Sequence, residues 1–275
     1  MSKTLAKTLD GFLSVVTSPL SARQRGKTIA SLAERIGARQ TATIDTQYGP
    51  LHFQALRSGY TSSAVTRFFD DEPDTLEWID QSLTPGSILW DIGGNIGLYT
   101  MYASMKPGVT IYAFEPSAFN FALLVEHVAL NKKDAQVNPL CLALSDQTGV
   151  FPLHLANLSV GRAGNALHEA RNQDGAFQAV FRQSVPGMRG DDAVKLLNIP
   201  TPTHIKLDVD GIEGPILAGM PNILKSVREV LVEVEGDNEI HFDDRIGKPL
   251  QAAGLTELIE FRTKGNPRNR LFIRQ

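Results

Sequence analysis

Cysteine is almost absent from this sequence. Cys141 is the single cysteine among 275 residues, which excludes a disulfide bond within the chain. Proteins of oxidising compartments usually carry several paired cysteines, so we expect this chain to function in a reducing compartment. Because Cys141 lies within an apolar run, we interpret it as a small core residue.

Long apolar runs are also missing. No segment reaches the roughly 18 consecutive apolar residues of a membrane-spanning helix. The stretch from Leu9 to Val16 contains Asp10 and is too short for a secretory signal peptide. We therefore predict a cytoplasmic protein without a membrane span. An amphipathic helix over residues 3–19 is expected to pack on its own domain, with a membrane surface or a second subunit of a homo-oligomer as alternatives.

The chain has no strong excess of either charge. Its formal net charge is −3, so we expect no nucleic-acid binding from charge alone. Basic residues nevertheless concentrate at the two ends, since residues 1–60 and residues 262–275 each carry a net charge of +5. We interpret both ends as solvated surface. The alternative is docking of an anionic glycan, a lipid headgroup or a protein partner.

A strand, a glycine-rich turn and a helix follow one another in residues 87–103. An apolar run leads into Asp91, and three glycines then fall within five positions before a helical pattern begins at Leu98. Glycine allows positive φ and lets a ligand approach the backbone closely. The free N–H groups of the helix N-terminus suit a polar or anionic group. Taken alone, such a turn is equally an ordinary feature of α/β folds.

A second apolar run, residues 109–114, ends at Glu115, which follows Gly97 by 18 residues. In dinucleotide-type folds an acidic residue about 20 residues after the glycine turn binds the ribose hydroxyls. Glu115 is therefore a candidate ribose ligand, and the two features together predict a cofactor that contains a nucleoside. The alternative is a carboxylate that only stabilises the start of the next helix.

The glycines do not follow the G-x-G-x-x-G spacing of dehydrogenases. They form the pattern Asp91-x-Gly93-x-Asn95-x-Gly97, which resembles class I S-adenosylmethionine-dependent methyltransferases. Residues 114–116 (Phe-Glu-Pro) and residues 205–213 (Ile-Lys-Leu-Asp-Val-Asp-Gly-x-Glu) extend the similarity, and the whole set resembles the FkbM family within that class. The resemblance runs from about residue 72 to the C-terminus. Its one small departure is Gly94, where relatives usually carry alanine; this should not disturb binding.

The resemblance implies S-adenosyl-L-methionine as cofactor and O-methylation of a hydroxyl on a glycan or secondary metabolite. Gly93, Asn95 and Gly97 would surround the methionine part, Asp91 would support that loop, and Glu115 would hold the ribose. Two further residues are carried over as adenine contacts, and for these a simple strand-end turn is the alternative. The candidate cofactor-binding residues are Asp91, Gly93, Asn95, Gly97, Glu115, Ser145 and Asp146.

Strands and helices alternate from residue 88 onward, which predicts a parallel sheet with right-handed crossovers. The resemblance implies an α/β, Rossmann-like fold with a seven-stranded, mostly parallel sheet, helices on both faces and an antiparallel last strand. We place the methyltransferase domain at residues 74–275 and treat residues 1–73 as an accessory segment of helices and a hairpin. Within the domain, the glycine- and asparagine-containing loop at residues 157–165 is expected to form a flap near the substrate.

Asp208 and His241 are the candidate catalytic residues. Asp208 ends the apolar strand that begins at His204, and this end of a parallel strand faces the ligand crevice in open α/β sheets. We expect Asp208 to accept the proton of the acceptor hydroxyl; the alternative is a charge at a helix N-terminus. His241 follows the fifth predicted strand on the same edge and is the second candidate.

A metal ligand set is not predicted. Carboxylates at the strand ends suit Mg²⁺, and a magnesium ion is the alternative that they leave open, but such carboxylates also cluster without metal. The acidic residues concerned are Asp208, Asp210, Glu233 and Glu235. The spacing of cysteine and histidine in zinc sites is absent.

Two other functions remain as alternatives at this point. An NAD-type dehydrogenase shares the fold class, but the glycine spacing opposes it. A non-catalytic nucleotide-binding scaffold would keep the fold without the chemistry, and the intact set of Asp91, Asn95, Gly97 and Glu115 opposes that alternative. The sequence therefore predicts an enzyme that acts on a small-molecule or glycan acceptor.

Overall fold

The computed structural model describes residues 2–38, 41–172, 175–234 and 237–275. The chain divides into two compact units, Met1–Thr41 and Ala42–Gln275. The first unit consists of two helices, α1 (Ser2–Val16) and α2 (Ala22–Ala38). None of the helices in the described parts of the chain combines the length and the hydropathy needed to traverse a lipid bilayer.

The second unit alternates strands with short helices. In chain order its helices are α3 (Gly59–Thr66), α4 (Pro73–Ser82), α5 (Leu98–Ala103), α6 (Ala118–Leu130), α7 (Gly190–Leu197), α8 (Glu213–Ala218), α9 (Asp237–Ile240) and α10 (Lys248–Ala252). Its strands are β1 (Thr41–Thr46), β2 (Gly49–Gln54), β3 (Ile88–Ile92), β4 (Thr110–Phe114), β5 (Val137–Leu140), β6 (Ala143–Ser145), β7 (Gly149–Leu155), β8 (Ala166–Leu167), β9 (Arg171–Asn172), β10 (Gly175–Ala176), β11 (Phe181–Arg189), β12 (His204–Leu207), β13 (Glu229–Glu233), β14 (Leu255–Glu257) and β15 (Asn269–Arg274). Single turns of 3-10 helix occur at Ile223–Lys225 and Ile259–Thr263, and a π-helical turn occurs at Asp243–Gly247.

Seven strands form the main sheet in the order β14-β15-β13-β12-β3-β4-β5. All neighbours from β13 to β5 are parallel, whereas β15 is antiparallel to both β13 and β14. Parallel neighbours require crossover connections, which the intervening helices supply. The prediction of an α/β fold with a seven-stranded, mostly parallel sheet is therefore confirmed.

Helices cover both faces of this sheet, so its central strands are apolar on both sides. Leu89 and Ile111 pack against side chains of α4, α5 and α6. On the opposite face, Trp90, Ile205 and Phe272 pack against α7, α8 and α10. Each such side chain contributes about 1.5–3 kcal/mol by its removal from water, and together they fix the strand ends that carry the site.

Residues 137–145 form two separate strands rather than one continuous strand. β5 ends at Leu140, and β6 pairs with β11 in a second sheet of order β6-β11-β7-β8. Pro139 lies within β5 and has no N–H to donate, which suits the outermost position that β5 occupies in the main sheet. This second sheet interrupts the alternation of strands and helices between β5 and α7.

The predicted hairpin is present as β1 and β2, and it belongs to the second unit. Leu51 and Phe53 of β2 are fully buried in the same core as Met101 and Val128. The division between the two compact units therefore falls at residue 41. The functional boundary placed at residue 74 is a separate question and stays a prediction.

His127 of α6 joins this hairpin to the glycine-rich turn. The backbone N–H of Gln54 donates to its Nε2 at 3.0 Å, and its Nδ1 lies 2.7 Å from the carbonyl oxygen of Ile96. A donor on one side and an acceptor on the other require a neutral ring with the proton on Nδ1. Burial lowers the pKa of His127 to about 4, so the ring stays neutral through the physiological range.

We expect His127 to make the folded chain sensitive to acid. Its pKa is about 4 in the folded state against an ordinary value of 6.5, so the unfolded chain binds the proton first as the pH falls. The stabilisation is complete above pH 6.5 and is lost as the pH falls toward 4. At about 1.4 kcal/mol per pKa unit, up to about 3.5 kcal/mol of unfolding free energy is lost. Urea unfolding over this pH range measures it.

A pair of substitutions isolates this contribution. His127→Gln should lose the pH dependence between those two pKa values, whereas His241→Gln, which alters an exposed histidine, should retain it. If the stability of His127→Gln falls with acid as steeply as that of the wild type, another group is responsible.

Candidate active site

The glycine-rich turn connects β3 to α5 at the carboxyl end of the main sheet. Gly93 and Gly97 have φ angles of +87° and +85°, which strongly favour glycine. At Gly93 a Cβ atom would lie 1.8 Å from the carbonyl oxygen of Asp208, so the end of β12 also requires a bare backbone there. The N–H groups of Gly93 and Gly94 both donate to the carbonyl oxygen of Phe114, at 2.9 and 3.0 Å, which holds the turn against β4.

Glu115 follows β4 and fastens the end of that strand to the turn. Its Oε2 accepts the N–H of Asn95 at 2.9 Å, and its Oε1 accepts the N–H of Ser117 at 2.7 Å. Glu115 is only 6% exposed, and burial raises the pKa of its carboxyl to about 7. The glycine turn and the predicted ribose ligand therefore lie side by side on one edge of the sheet.

Asn95 carries a polar atom that the folded chain leaves unsatisfied. Its φ angle is +48°, and its side-chain Oδ1 is buried without a hydrogen-bond partner. Buried acceptors are nearly always paired in proteins, and this residue lines a cavity. A ligand that presents an N–H or O–H group would satisfy Oδ1, which indicates binding on grounds other than glycine spacing.

The turn and Glu115 open onto a cavity of about 560 Å³, a volume typical of small-molecule sites. Five of the predicted site residues line it, namely Asp91, Gly93, Asn95, Glu115 and Asp208. Side chains between residues 60 and 72 also contribute to the lining. Residues 60–72, which fall within the predicted accessory segment, therefore contribute to the cavity wall.

Ser145 and Asp146 are placed differently from the other predicted cofactor contacts. The cavity lining includes residues 142–144 but neither of these two. Ser145 is buried, and its hydroxyl donates to Oδ1 of Asp146 at 3.1 Å. This is the local hydrogen bonding of a strand end, and the proposed adenine contact stays a prediction.

Gly97 and His241 are likewise not among the residues that line the cavity. Gly97 is the N-cap of α5, and a Cβ atom there would lie 2.8 Å from Cδ1 of Leu124, so close packing of α6 explains this glycine. His241 follows α9 and is exposed. Its catalytic role stays a prediction, with no contact in the cavity to support it.

Asp91 lies beneath the turn as the penultimate residue of β3. It is 2% exposed and accepts a hydrogen bond from the hydroxyl of Thr100 in α5. Burial raises the pKa of its carboxyl, although the nearby Lys206 ammonium opposes that shift. Asp91 therefore ties the strand before the turn to the helix after it.

Lys206 is a cavity residue to which the sequence analysis gave no role. It is 4% exposed within β12, its Nζ lies 2.5 Å from Oδ2 of Asp208, and it stands 4.9 Å from the ring centre of Tyr99. Burial favours the neutral amine, but Asp208 and Glu72 outweigh it and raise the pKa of Lys206. A lysine between apolar neighbours in a buried strand is the signal that could have identified it.

The same ion pair sets the state of Asp208. Burial raises the pKa of its carboxyl, but the charge and the hydrogen bond of Lys206, with the charge of Arg268, outweigh that effect and lower it below the usual range. Asp208 is therefore ionised at neutral pH. Its position on the cavity wall agrees with the sequence prediction, while its strong partner was not foreseen.

Glu72 is another carboxyl on the cavity wall and the second acidic partner of Lys206. Its Oε2 accepts the Thr75 hydroxyl at 2.6 Å and lies 3.9 Å from Nζ of Lys206. Burial raises the pKa of Glu72, against the effect of Lys206. Lys206 thus stands between a carboxyl with a lowered pKa and one with a raised pKa.

The predicted flap, residues 157–165, is held by hydrogen bonds to three separate elements. Ser58, the N-cap of α3, donates to the carbonyl oxygen of Val160 at 2.5 Å. The N–H of Gly161 donates to Oδ1 of Asn120 in α6 at 2.8 Å. The N–H of Gly164 donates to Oδ2 of Asp210, just after β12, at 2.7 Å. Residues 161–165 line the cavity, so the loop covers the site.

Two flap side chains carry buried polar atoms without partners. Nε of Arg162 and Oδ1 of Asn165 are buried and unpaired, although Nη1 of Arg162 donates to the Tyr60 hydroxyl at 2.8 Å. The predicted flap therefore offers one donor and one acceptor for hydrogen bonds to a ligand in the cavity. Sequence composition identified the loop but not these residues.

Two of the acidic residues considered as magnesium ligands form ion pairs. Within the described residues, no group of three or more His, Cys, Asp or Glu side chains is arranged to hold a metal ion. Asp208 pairs with Lys206, and Glu233 pairs with Arg268 at 2.8 Å. Glu235, the remaining sequence candidate, lies outside the described residues.

The close approach at Gly93 predicts different tolerances at two adjacent glycines. Gly93→Ala should destabilise the fold by about 2 kcal/mol or more, because it combines positive φ with a clash against the Asp208 carbonyl oxygen. At Gly94 a Cβ atom would meet only ordinary contacts of 3.5 Å or longer, so Gly94→Ala should change stability by less than about 0.5 kcal/mol. Thermal or urea unfolding compares them, and equal losses would contradict this geometry.

The sequence of this chain matches a known domain family and two characterised enzymes. The methyltransferase FkbM domain matches residues 91–251. The hexuronic acid methyltransferase AglP of Haloferax volcanii is 29% identical over 163 residues, covering 59% of this chain and 62% of that protein. The 31-O-demethyl-FK506 methyltransferase FkbM of Streptomyces tacrolimicus is 38% identical over 175 residues, covering 55% of this chain and 66% of its own. The chain thus spans a little under two thirds of each relative.

Among solved structures, a putative methyltransferase from Streptococcus mutans in complex with SAH matches with a TM-score of 0.43 and 13% identity. The match covers 72% of this chain and 93% of that one, and at so low a TM-score it carries no weight for function. The FkbM domain, by contrast, covers more than half of the chain and includes the glycine turn, Glu115 and Asp208. The chain is therefore a member of the FkbM methyltransferase family.

Proposed function

We propose that this protein is an S-adenosylmethionine-dependent methyltransferase that methylates a hydroxyl oxygen. The proposal is carried by one observation: the glycine turn and Glu115 are hydrogen-bonded to each other and line the same cavity. In that turn, Oδ1 of Asn95 is buried without a hydrogen-bond donor. The cavity is lined by seven acidic and four basic side chains. An excess of acidic groups favours a cofactor whose sulfonium carries a positive charge.

The residues at the turn and at Glu115 suit two different parts of the cofactor. Gly93 and Asn95 offer bare backbone and an unpaired acceptor to the methionine part, and Asp91 holds that loop in place. Glu115 presents its carboxylate to the ribose hydroxyls while it remains fixed by two backbone N–H groups. When bound, the cofactor supplies an activated methyl group, and the protein supplies orientation.

The acceptor class is proposed from the two relatives and from the flap. Their names describe methylation of a hexuronic acid and of a 31-O-demethyl compound, so the shared chemistry points to a glycan or secondary-metabolite acceptor. On the flap, Arg162 and Asn165 offer a donor and an acceptor to hydroxyl or carboxylate groups. Holding both reactants in one cavity is worth roughly 7–11 kcal/mol of the barrier in favourable cases.

Asp208 is the proposed proton acceptor. As the acceptor oxygen forms its new bond to carbon, its proton becomes strongly acidic, so a carboxylate with a lowered pKa is an adequate base. The ion pair with Lys206 keeps Asp208 ionised. Glu72 is the rival, because burial raises its pKa toward the range in which a general base works best.

Magnesium is not part of the proposal. The carboxylates that would hold it, Asp208 and Glu233, are paired with Lys206 and Arg268, so a divalent cation would have to displace two ion pairs. Activity in the presence of a chelator is therefore expected to equal activity without it.

Calorimetric titration with S-adenosylmethionine tests the cofactor assignment. We expect Glu115→Ala to weaken binding about 10- to 100-fold, because hydrogen bonds to a charged group contribute about 1.5–3 kcal/mol each. Glu213→Gln is the matched control, since Glu213 is a buried carboxyl at the start of α8 that does not line the cavity. No binding by the wild type, or equal affinity in Glu115→Ala, would refute the proposal.

Transfer of labelled methyl groups to acceptors in a cell extract tests the base. Asp208→Asn should lower the rate by about 10²–10⁴-fold with little change in cofactor affinity, whereas Glu72→Gln should have a small effect. The rate should be independent of pH near neutrality, because the pKa of Asp208 is lowered. A rate that rises with pH in the wild type and collapses in Glu72→Gln would transfer the role to Glu72.

A further inference from the structure

The first compact unit leaves a row of large apolar side chains uncovered. In α1 the row consists of Leu5, Leu9, Phe12 and Val16, which are 61%, 54%, 64% and 55% exposed. Their spacings of four, three and four residues place them on one face of the helix. Among the described side chains of this unit, only Thr17 is buried, so the two helices do not form a core that would shelter the row.

The second helix repeats the arrangement and adds basic residues beside it. Ile29 and Ile36 of α2 are 44% and 46% exposed, and Leu32 lies between them on the same face. Arg25 precedes Ile29 by four residues, and Arg35 follows Leu32 by three, so both arginines adjoin this face. Long basic side chains can extend from an apolar face toward headgroups at its rim.

The charge of this unit is opposite to that of the rest of the chain. Residues 1–41 contain seven Lys or Arg and two Asp or Glu, a net charge of +5, which leaves −8 for residues 42–275. Two copies of the first unit would bring like charges together. An anionic surface would instead attract the basic residues while it receives the apolar rows.

We propose that the N-terminal helical unit, residues 2–38, binds the surface of an anionic lipid bilayer, with α1 and α2 lying in the plane of the headgroups. Helices of 15 and 17 residues with charged polar faces suit this position, in which apolar faces enter the headgroup–acyl boundary. The inference rests on exposure, spacing and charge, and it is independent of the methyl-transfer proposal.

Cosedimentation of the full chain with vesicles tests this surface. We expect binding to vesicles of three parts phosphatidylcholine to one part phosphatidylglycerol, weak binding to phosphatidylcholine alone, and release by salt. Phe12→Glu combined with Leu9→Glu should lower the bound fraction at least about 10-fold, because it places charge in the apolar row. Val150→Glu is the matched control, since Val150 is 74% exposed in the second unit.

Charge reversal provides the second arm. Lys7→Glu combined with Lys27→Glu alters exposed basic residues and should weaken binding to anionic vesicles without changing the weak binding to neutral ones. Helix content by circular dichroism confirms that each variant is folded.

The proposal is overturned by absent binding, by equal binding to both vesicle types, or by wild-type affinity in the double variant of Leu9 and Phe12. It is also overturned if the wild type is a dimer in solution and the double variant of Leu9 and Phe12 is a monomer, because the apolar row would then be covered by a second copy of the chain.

Discussion

The site depends on one buried carboxylate that bonds to two backbone segments. Glu115 follows β4, and its two carboxyl oxygens accept the N–H groups of Asn95 and Ser117. Together with the bonds from Gly93 and Gly94 to Phe114 and from His127 to Ile96, these bonds fix the turn after β3 relative to the start of α6. A side chain expected to meet the cofactor is thus also the structural fastening of its pocket. The same two carboxyl oxygens of Glu115 thus accept the structural bonds and are expected to accept the bonds from the ribose hydroxyls.

A second constraint is the lysine buried beside the proposed methyl-transfer position. Lys206 needs partners in a setting with little water, and Asp208 and Glu72 supply them on two sides. Removing a buried charge from its partner is usually costly, so the three groups behave as a unit. Their protonation states are linked, and each of them limits how the others can take part in chemistry.

The sequence predicted those parts of the structure that arise from local pattern and from parallel topology. Glycine spacing located the turn, apolar runs located the central strands, and the convergence of parallel strand ends brought Asp91, Glu115 and Asp208 to one cavity. It did not predict features that depend on distant partners. The pairing of Lys206 with Glu72 joins residues 134 positions apart, and the separation of β6 from β5 depends on pairing with β11. Such contacts leave no periodic signal in the chain.

The neutral ring of His127 has a consequence for where the functional unit begins. It connects the backbone of Gln54 to that of Ile96 within the glycine turn, whereas the family match begins at residue 91. A fragment that begins at residue 91 would lose the hairpin. Nε2 of His127, which accepts the N–H of Gln54, would then be left without its hydrogen-bond donor beneath the turn. Residues 91–251 therefore lack part of the support of the turn, and a transfer of this pocket into another scaffold has to include the upstream hairpin.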